Sequence, residues 1–202
     1  MAIELFISQQ EVALLSTSSM AKSKPDKRNQ KRKKTKTSSA ADVSPALAQP
    51  LLEQATALFQ TGQADEALPV ARKSLRCLSF PEVPPQTKLP VLELIGEIQV
   101  ELGDPDAARQ TFLEAASLDP DASLAEEEGG GPDKFLWLAQ LSEEGGADSM
   151  NWFEKGITVL RREVVAEDEV SGEDAALVNE ETKTKLADAL CGAAEVYMTD
   201  LS

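Results

Sequence analysis

Residues 89–122 read LPVLELIGEIQVELGDPDAARQTFLEAASLDPDA. Two helices are written in this stretch. Apolar residues recur at helical spacing from Leu89 to Val100. Gly103 stands where that first helix should end, because glycine accepts the left-handed conformation past a helix C-terminus. Asp104 follows as an N-cap, and Pro105 takes the first helical position, where no amide donor is needed. The second helix then runs until Pro120 stops it. Gly96 predicts a close approach of the pair, since a larger side chain would hold the helices apart. Ala108 is the small residue expected opposite Gly96, and Phe112 the one that fills the groove between the helices.

The stretch is 34 residues long, with Leu92, Ile95, Gly96 and Gln99 followed by Ala108, Phe112, Ala115 and Pro120. These eight stand at the offsets W-x2-L-G-x2-Y…A-x3-F…P of the tetratricopeptide repeat (TPR), which the segment therefore resembles. Two slots depart, with Leu92 in place of Trp and Gln99 in place of Tyr. An ordinary helical hairpin would not fill the other six by coincidence. The resemblance implies an all-α solenoid, a TPR-like right-handed superhelix of helical hairpins.

Weaker copies flank it. Over 48–81, Leu51, Ala55 and Leu58 share one helical face, Gly62 ends that helix, and Ala67, Ala71, Leu75 and Leu78 line the next. Gly62 and Gly103 are 41 residues apart, seven more than one repeat, and the excess falls in FPEVPPQ, a proline-rich loop expected to be non-helical. An acidic, glycine-rich insertion, SLAEEEGGGP, follows Pro120. A third pair fits 133–165: Phe135, Leu138 and Ala139 form one stripe, Gly145-Gly146 the turn, and Trp152, Phe153, Gly156, Ile157 and Leu160 the second helix. Trp137 and Trp152 are read as core, with binding aromatics as the alternative. Residues 166–181 look like a second acidic linker. A partial repeat over 182–202 carries Leu190, Ala193, Ala194 and Tyr197 at first-helix spacing with no second helix after it, so a longer natural solenoid is expected.

Charge divides the chain at about residue 43. Residues 22–36 hold nine of the twenty Lys and Arg, whereas from residue 37 onward eleven basic residues face thirty-two acidic ones, a net of −21. Residues 1–43 are expected to be a disordered tail and 44–202 the helical domain. Met20, just before the basic tract, is the expected natural start. The tract holds Lys27, Arg28, Lys31, Arg32, Lys33, Lys34 and Lys36, a pattern that suggests nuclear import through an import receptor. A solubilising tail or an RNA anchor are the alternatives; no aromatic is interleaved for base stacking. Cytoplasm and nucleus are the expected locations. Residues 1–19 are too short and too polar to span a membrane.

The chain has no histidine, and no phosphate loop, nucleophile elbow or metal-ligand spacing, so no enzyme, cofactor, metal or small-molecule substrate is expected. Cys77 and Cys191 lie far apart without zinc spacing and are expected to be small buried residues of a reducing compartment. Binding is the richer reading. Glu93, Glu97 and Glu101 recur every four residues and form one row on the first helix of the central repeat. The matching slots fall at Gln140, Glu143 and Glu144 in the third repeat and at Asp188 and Glu195 in the fourth. Such a face attracts a basic protein segment and repels nucleic acid. A merely solvated acidic face is the alternative.

Three further segments carry a closer resemblance: MAKSKPDKRNQKRKK (20–34), DKFLWLAQLSEEGGADSMNWFEKG (133–156) and KLADALCGAAEVYMTDL (185–201). With the repeats between them they are similar to a fungal family of TPR proteins, the dedicated assembly chaperones of the universal fourth protein of the large ribosomal subunit. The resemblance implies capture of that new ribosomal protein through its basic internal loop, protection from aggregation, escort to the nucleus and hand-over to the pre-ribosome. A generic TPR scaffold, or a nucleic-acid-associated protein acting through the tail, are the alternatives.

Overall fold

The computed structural model describes residues 44–125, 128–143, 145–168 and 173–200, all in the compact unit Ala40–Ser202. The seven α-helices among them are α1 (Ala48–Gln60), α2 (Ala64–Cys77), α3 (Leu89–Glu101), α4 (Pro105–Leu118), α5 (Asp133–Gln140), α6 (Gly146–Asp168) and α7 (Glu173–Asp200). Among the described residues there is no strand, and no helix is long and apolar enough to cross a membrane. Each helix packs chiefly on its neighbours in sequence, with α1 also touching α3. That is the TPR-like pattern of stacked helical hairpins expected from the sequence.

The first two hairpins turn by the same device. Gly62 (φ +75°) and Gly103 (φ +73°) both lie in the left-handed region. The amide of Gly62 donates to the Phe59 carbonyl and that of Gln63 to Leu58; the amides of Gly103 and Asp104 donate to Val100 and Gln99 in the same way, all four at 2.9 Å. This pair of bonds satisfies carbonyls that a helix end leaves open. Asp104 then accepts from the Ala107 amide and caps α4, as its position before Pro105 implies.

The core of the central hairpin is the contact foreseen at Gly96, with one change of partner. Phe112, rather than Ala108, stands opposite: a β-carbon on Gly96 would fall 2.5–2.7 Å from its ring. Gln99, in the Tyr slot, is buried and accepts a 2.7 Å hydrogen bond from Thr111 of α4, so the polar substitution is satisfied across the hairpin. Phe135, Leu138 and Ala139 of α5 are buried as expected. The indoles of Trp137 and Trp152, each partly buried, stack on Phe112 (5.9 Å) and Phe135 (6.2 Å), which makes them part of the core.

Four expectations need correction. The loop before α3 contains a 3-10 turn, Pro85–Lys88. Residues 80–84 are non-helical as expected; only Pro85 and Gln86, the last two residues of FPEVPPQ, enter the turn, where proline at the first position needs no amide partner. Residues 166–181 are largely helix, since α6 runs to Asp168 and α7 begins at Glu173. Glu and Ala are good helix formers even where charge is dense. In α7 the buried residues include Ala189 and Ala193, while Leu190, Ala194 and Tyr197 are exposed. The helix thus turns a face one residue away from the expected register toward α6. Cys77 is buried but Cys191 is exposed.

Candidate protein-binding face

Charged side chains of α3, α5 and α7 come within electrostatic reach of one another. Asp133, the first residue of α5, accepts Lys185 of α7 at 3.6 Å. Glu97 of α3 lies within electrostatic reach of both. Partial burial holds the Glu97 carboxyl above the usual glutamate range; Asp133 adds to that and Lys185 opposes it. Two carboxylates and one ammonium, from three helices, therefore share one half-buried spot.

The row of three glutamates is not uniform. Glu101 is exposed at the end of α3. Glu93 instead reaches Lys134, whose side chain is fully buried, at 4.0 Å. The Lys134 ammonium also lies 3.6 Å from Asp119, itself 2% exposed, and donates to the carbonyls of Gly129 (2.8 Å) and Gly131 (3.0 Å). Burial draws its affinity for a proton down, while Glu93 and Asp119 pull it back up. Glu93 is therefore committed to an internal charge cluster, contrary to its expected place on an open acidic row.

The glycine-rich insertion builds that cluster. A β-carbon on Gly129 (φ +79°) would meet Leu89 at 2.6 Å, and one on Gly130 would meet the Leu124 carbonyl at 1.9 Å. Only glycines let this loop fold tightly enough to aim two carbonyls at Lys134. Asp119 is held by the amide and hydroxyl of Ser123 at 2.8 and 3.0 Å. Sequence reasoning missed Lys134 because its partners come from α3, the end of α4 and the loop.

A second polar clamp fixes the third hairpin. Arg109 of α4 donates to the Leu138 carbonyl near the end of α5 (3.4 Å) and to Asp148 in the first turn of α6 (3.0 Å). The hydrogen bond from Ser142 is the strongest influence on the Asp148 carboxyl; burial opposes it, and with the Arg109 guanidinium added the carboxyl lies below its ordinary range. Gln140 is exposed at the C-terminus of α5, and Glu143 is exposed beyond it, because α5 spans only Asp133–Gln140. Glu143 is thus not on the helix row where spacing put it, and Glu144 lies outside the described residues. Asp188 and Glu195 are exposed on α7. The basic tract Lys27–Lys36 also lies outside the described residues.

Residues 89–122 match the family model "Tetratricopeptide repeat". Over 111 residues (55% of this chain) the sequence is 58% identical to a protein of Emericella nidulans named "Probable assembly chaperone of rpl4", covering 28% of that protein. A protein of the same name from Schizosaccharomyces pombe is 34% identical over 139 residues, which are 69% of this chain and 35% of the relative. Among solved structures, "Assembly Chaperone of RpL4 (Acl4) (Residues 1-338)" superposes with a TM-score of 0.69 at 43% identity, covering 77% of this chain and 56% of that one. The chain thus spans roughly a third of the curated relatives it matches.

Proposed function

We propose that this chain is a dedicated chaperone for newly made RpL4, and that it holds a basic segment of that protein on the face built by α3, α5 and α7. The names of the relatives, assembly chaperones of rpl4, support this choice of partner. The observation that carries the mode of binding is Glu97. Its carboxylate is half-buried beside Asp133, with Lys185 as the cation of the cluster. A guanidinium or ammonium from a guest adds the charge that this pair favours, and exposed Glu101 extends the attraction outward. Covering a basic segment in this way prevents its aggregation with RNA and other polyanions. The basic tract Lys27–Lys36 serves, in the same reading, as the signal that escorts the pair to the nucleus.

Calorimetric titration of the chain with purified RpL4 of Emericella nidulans tests the proposal. Individual exposed ion pairs are worth roughly 0–1 kcal/mol. Several together give binding that weakens as the Debye length falls from ~10 Å at 0.1 M to ~3 Å at 1 M salt. Glu97→Lys with Glu101→Lys is expected to remove binding while keeping helicity, because lysine forms helix about as well as glutamate. Undiminished affinity in that double variant, or affinity indifferent to salt, would place the partner elsewhere on the chain.

A further inference from the structure

The free chain already holds a cation at its acidic spot, and that cation belongs to the chain itself. Lys185 projects from α7 to Asp133 on α5, with its Nζ 3.6 Å from Oδ2. Both partners remain accessible, with side chains 34% and 43% exposed, so the pair can open without unfolding anything. Lys134, by contrast, is fully buried and held by two carbonyls. One ammonium is thus built into the fold, while the other stays accessible at the surface.

We infer that Lys185 is an internal stand-in for the guest's basic side chain, a competitor that a Lys or Arg of the guest displaces from Asp133 and Glu97. The inference rests on the binding reading above and specifies its selectivity. An exposed pair of this kind is weak, so its displacement costs little. A guest with a single cation gains almost nothing by replacing one ammonium with another. A guest with several closely spaced cations engages Asp133, Glu97 and Glu101 together and displaces Lys185 at net gain. Arginine has a further advantage, because its planar fork can bond a carboxylate through two parallel N–H groups, which the lysine ammonium cannot do. Lys185 therefore sets a threshold against weakly basic ligands and favours an arginine-rich segment.

The test uses the whole chain, purified RpL4 of Emericella nidulans and calorimetry. Lys185→Gln is compared with Lys183→Gln, which removes the same charge from an exposed position on another side of α7. If Lys185 competes, K185Q tightens binding about two- to five-fold more than K183Q does, and K185R, which keeps the cation, binds no more tightly than wild type. Equal affinities of K185Q and K183Q would overturn the inference while wild-type binding upheld the function proposed above. Absence of any wild-type binding to RpL4 would overturn both. Thermal melts of the variants show whether a change in affinity stems from altered folding; a K185Q chain that melts like wild type yet gains no affinity over K183Q also counts against the competitor role.

Discussion

The contact between Gly96 and Phe112 gives the most direct check of how this chain packs. Adding one methyl group, Gly96→Ala, places a carbon 2.5 Å from Cζ and 2.7 Å from both Cε atoms of Phe112. The ring has little room to recoil: it is fully buried and stacked against Trp137 with planes 10° apart. Two effects oppose each other. Alanine stabilises a helix interior by roughly 0.5–1 kcal/mol over glycine. Overpacking a close-packed core costs ~1–3 kcal/mol. The overlap should win by about 1–2 kcal/mol, which lowers Tm by ~2–8 °C at about 2–4 °C per kcal/mol for a chain of this size. Gly96→Leu should cost more. Far-UV circular dichroism melts measure the shift. A raised Tm for Gly96→Ala would show that helix propensity alone acts and that the helices are not in contact there. The double variant Gly96→Ala, Phe112→Leu sharpens the test. Removing the ring edge should make the pair less destabilised than the sum of the singles by about 0.5–3 kcal/mol, and simple additivity would refute the assignment.

Lys134→Met should destabilise the chain by ~3–5 kcal/mol, because it leaves Asp119 buried without its cation; an unchanged denaturant midpoint would contradict this. Glu97→Gln should change how stability depends on pH. The folded state holds the Glu97 proton more tightly than the unfolded chain, so its contribution is fully present below about pH 4.5 and is lost as pH rises through the higher folded value. The variant should therefore gain on wild type between pH 4 and 7 on the order-of-magnitude scale of such linkage, and a constant difference across that range would count against the buried cluster. Replacing Lys31, Arg32, Lys33 and Lys34 by Ala in the tail fused to a large fluorescent reporter should leave the reporter cytoplasmic, and persistent nuclear accumulation would sink the import role.

Which features could be read in the sequence follows from how local their causes are. The turns at Gly62 and Gly103 and the cap at Asp104-Pro105 depend on a few consecutive residues with special backbone demands, so they were legible. So was the Gly96 contact, although its true neighbour, four residues beyond Ala108, is set by how the two helices pack against each other. The end of α6 and the start of α7 were misread because clustered carboxylates suggested a linker, whereas the backbone preference of Glu, Ala and Leu favours helix. Lys134 was opaque for a different reason. A lysine in the first turn of a helix has the sequence appearance of a surface residue. Only the long-range approach of Glu93, Asp119 and a glycine loop supplies what a buried ammonium requires. At the candidate face, a spacing of four placed Glu93, Glu97 and Glu101 on one side of α3. That spacing carries no information about which charges of α5 and α7 come near each of them.

This unequal fate of the three glutamates separates stability from binding along a single helix. Charge reversal at Glu93 would set a second cation against Lys134 and should act on folding. Reversal at Glu101, which is exposed, should act on association alone. Glu97 couples the two. In the free chain its carboxylate is partly stripped of water beside a second carboxylate, which is unfavourable. A guest with several cations removes more of that cost than Lys185 does, so binding and folding reinforce one another, and a bound guest should raise the melting temperature in proportion to the logarithm of its concentration over Kd. The coupling should be strongest at pH values where Glu97 is ionised in the folded state, and it should vanish in Glu97→Gln even where Glu101 still draws the guest in. A guest-induced stabilisation that survives Glu97→Gln undiminished at neutral pH would mean that the half-buried carboxylate is a feature of the helix seam alone, with no part in holding the guest.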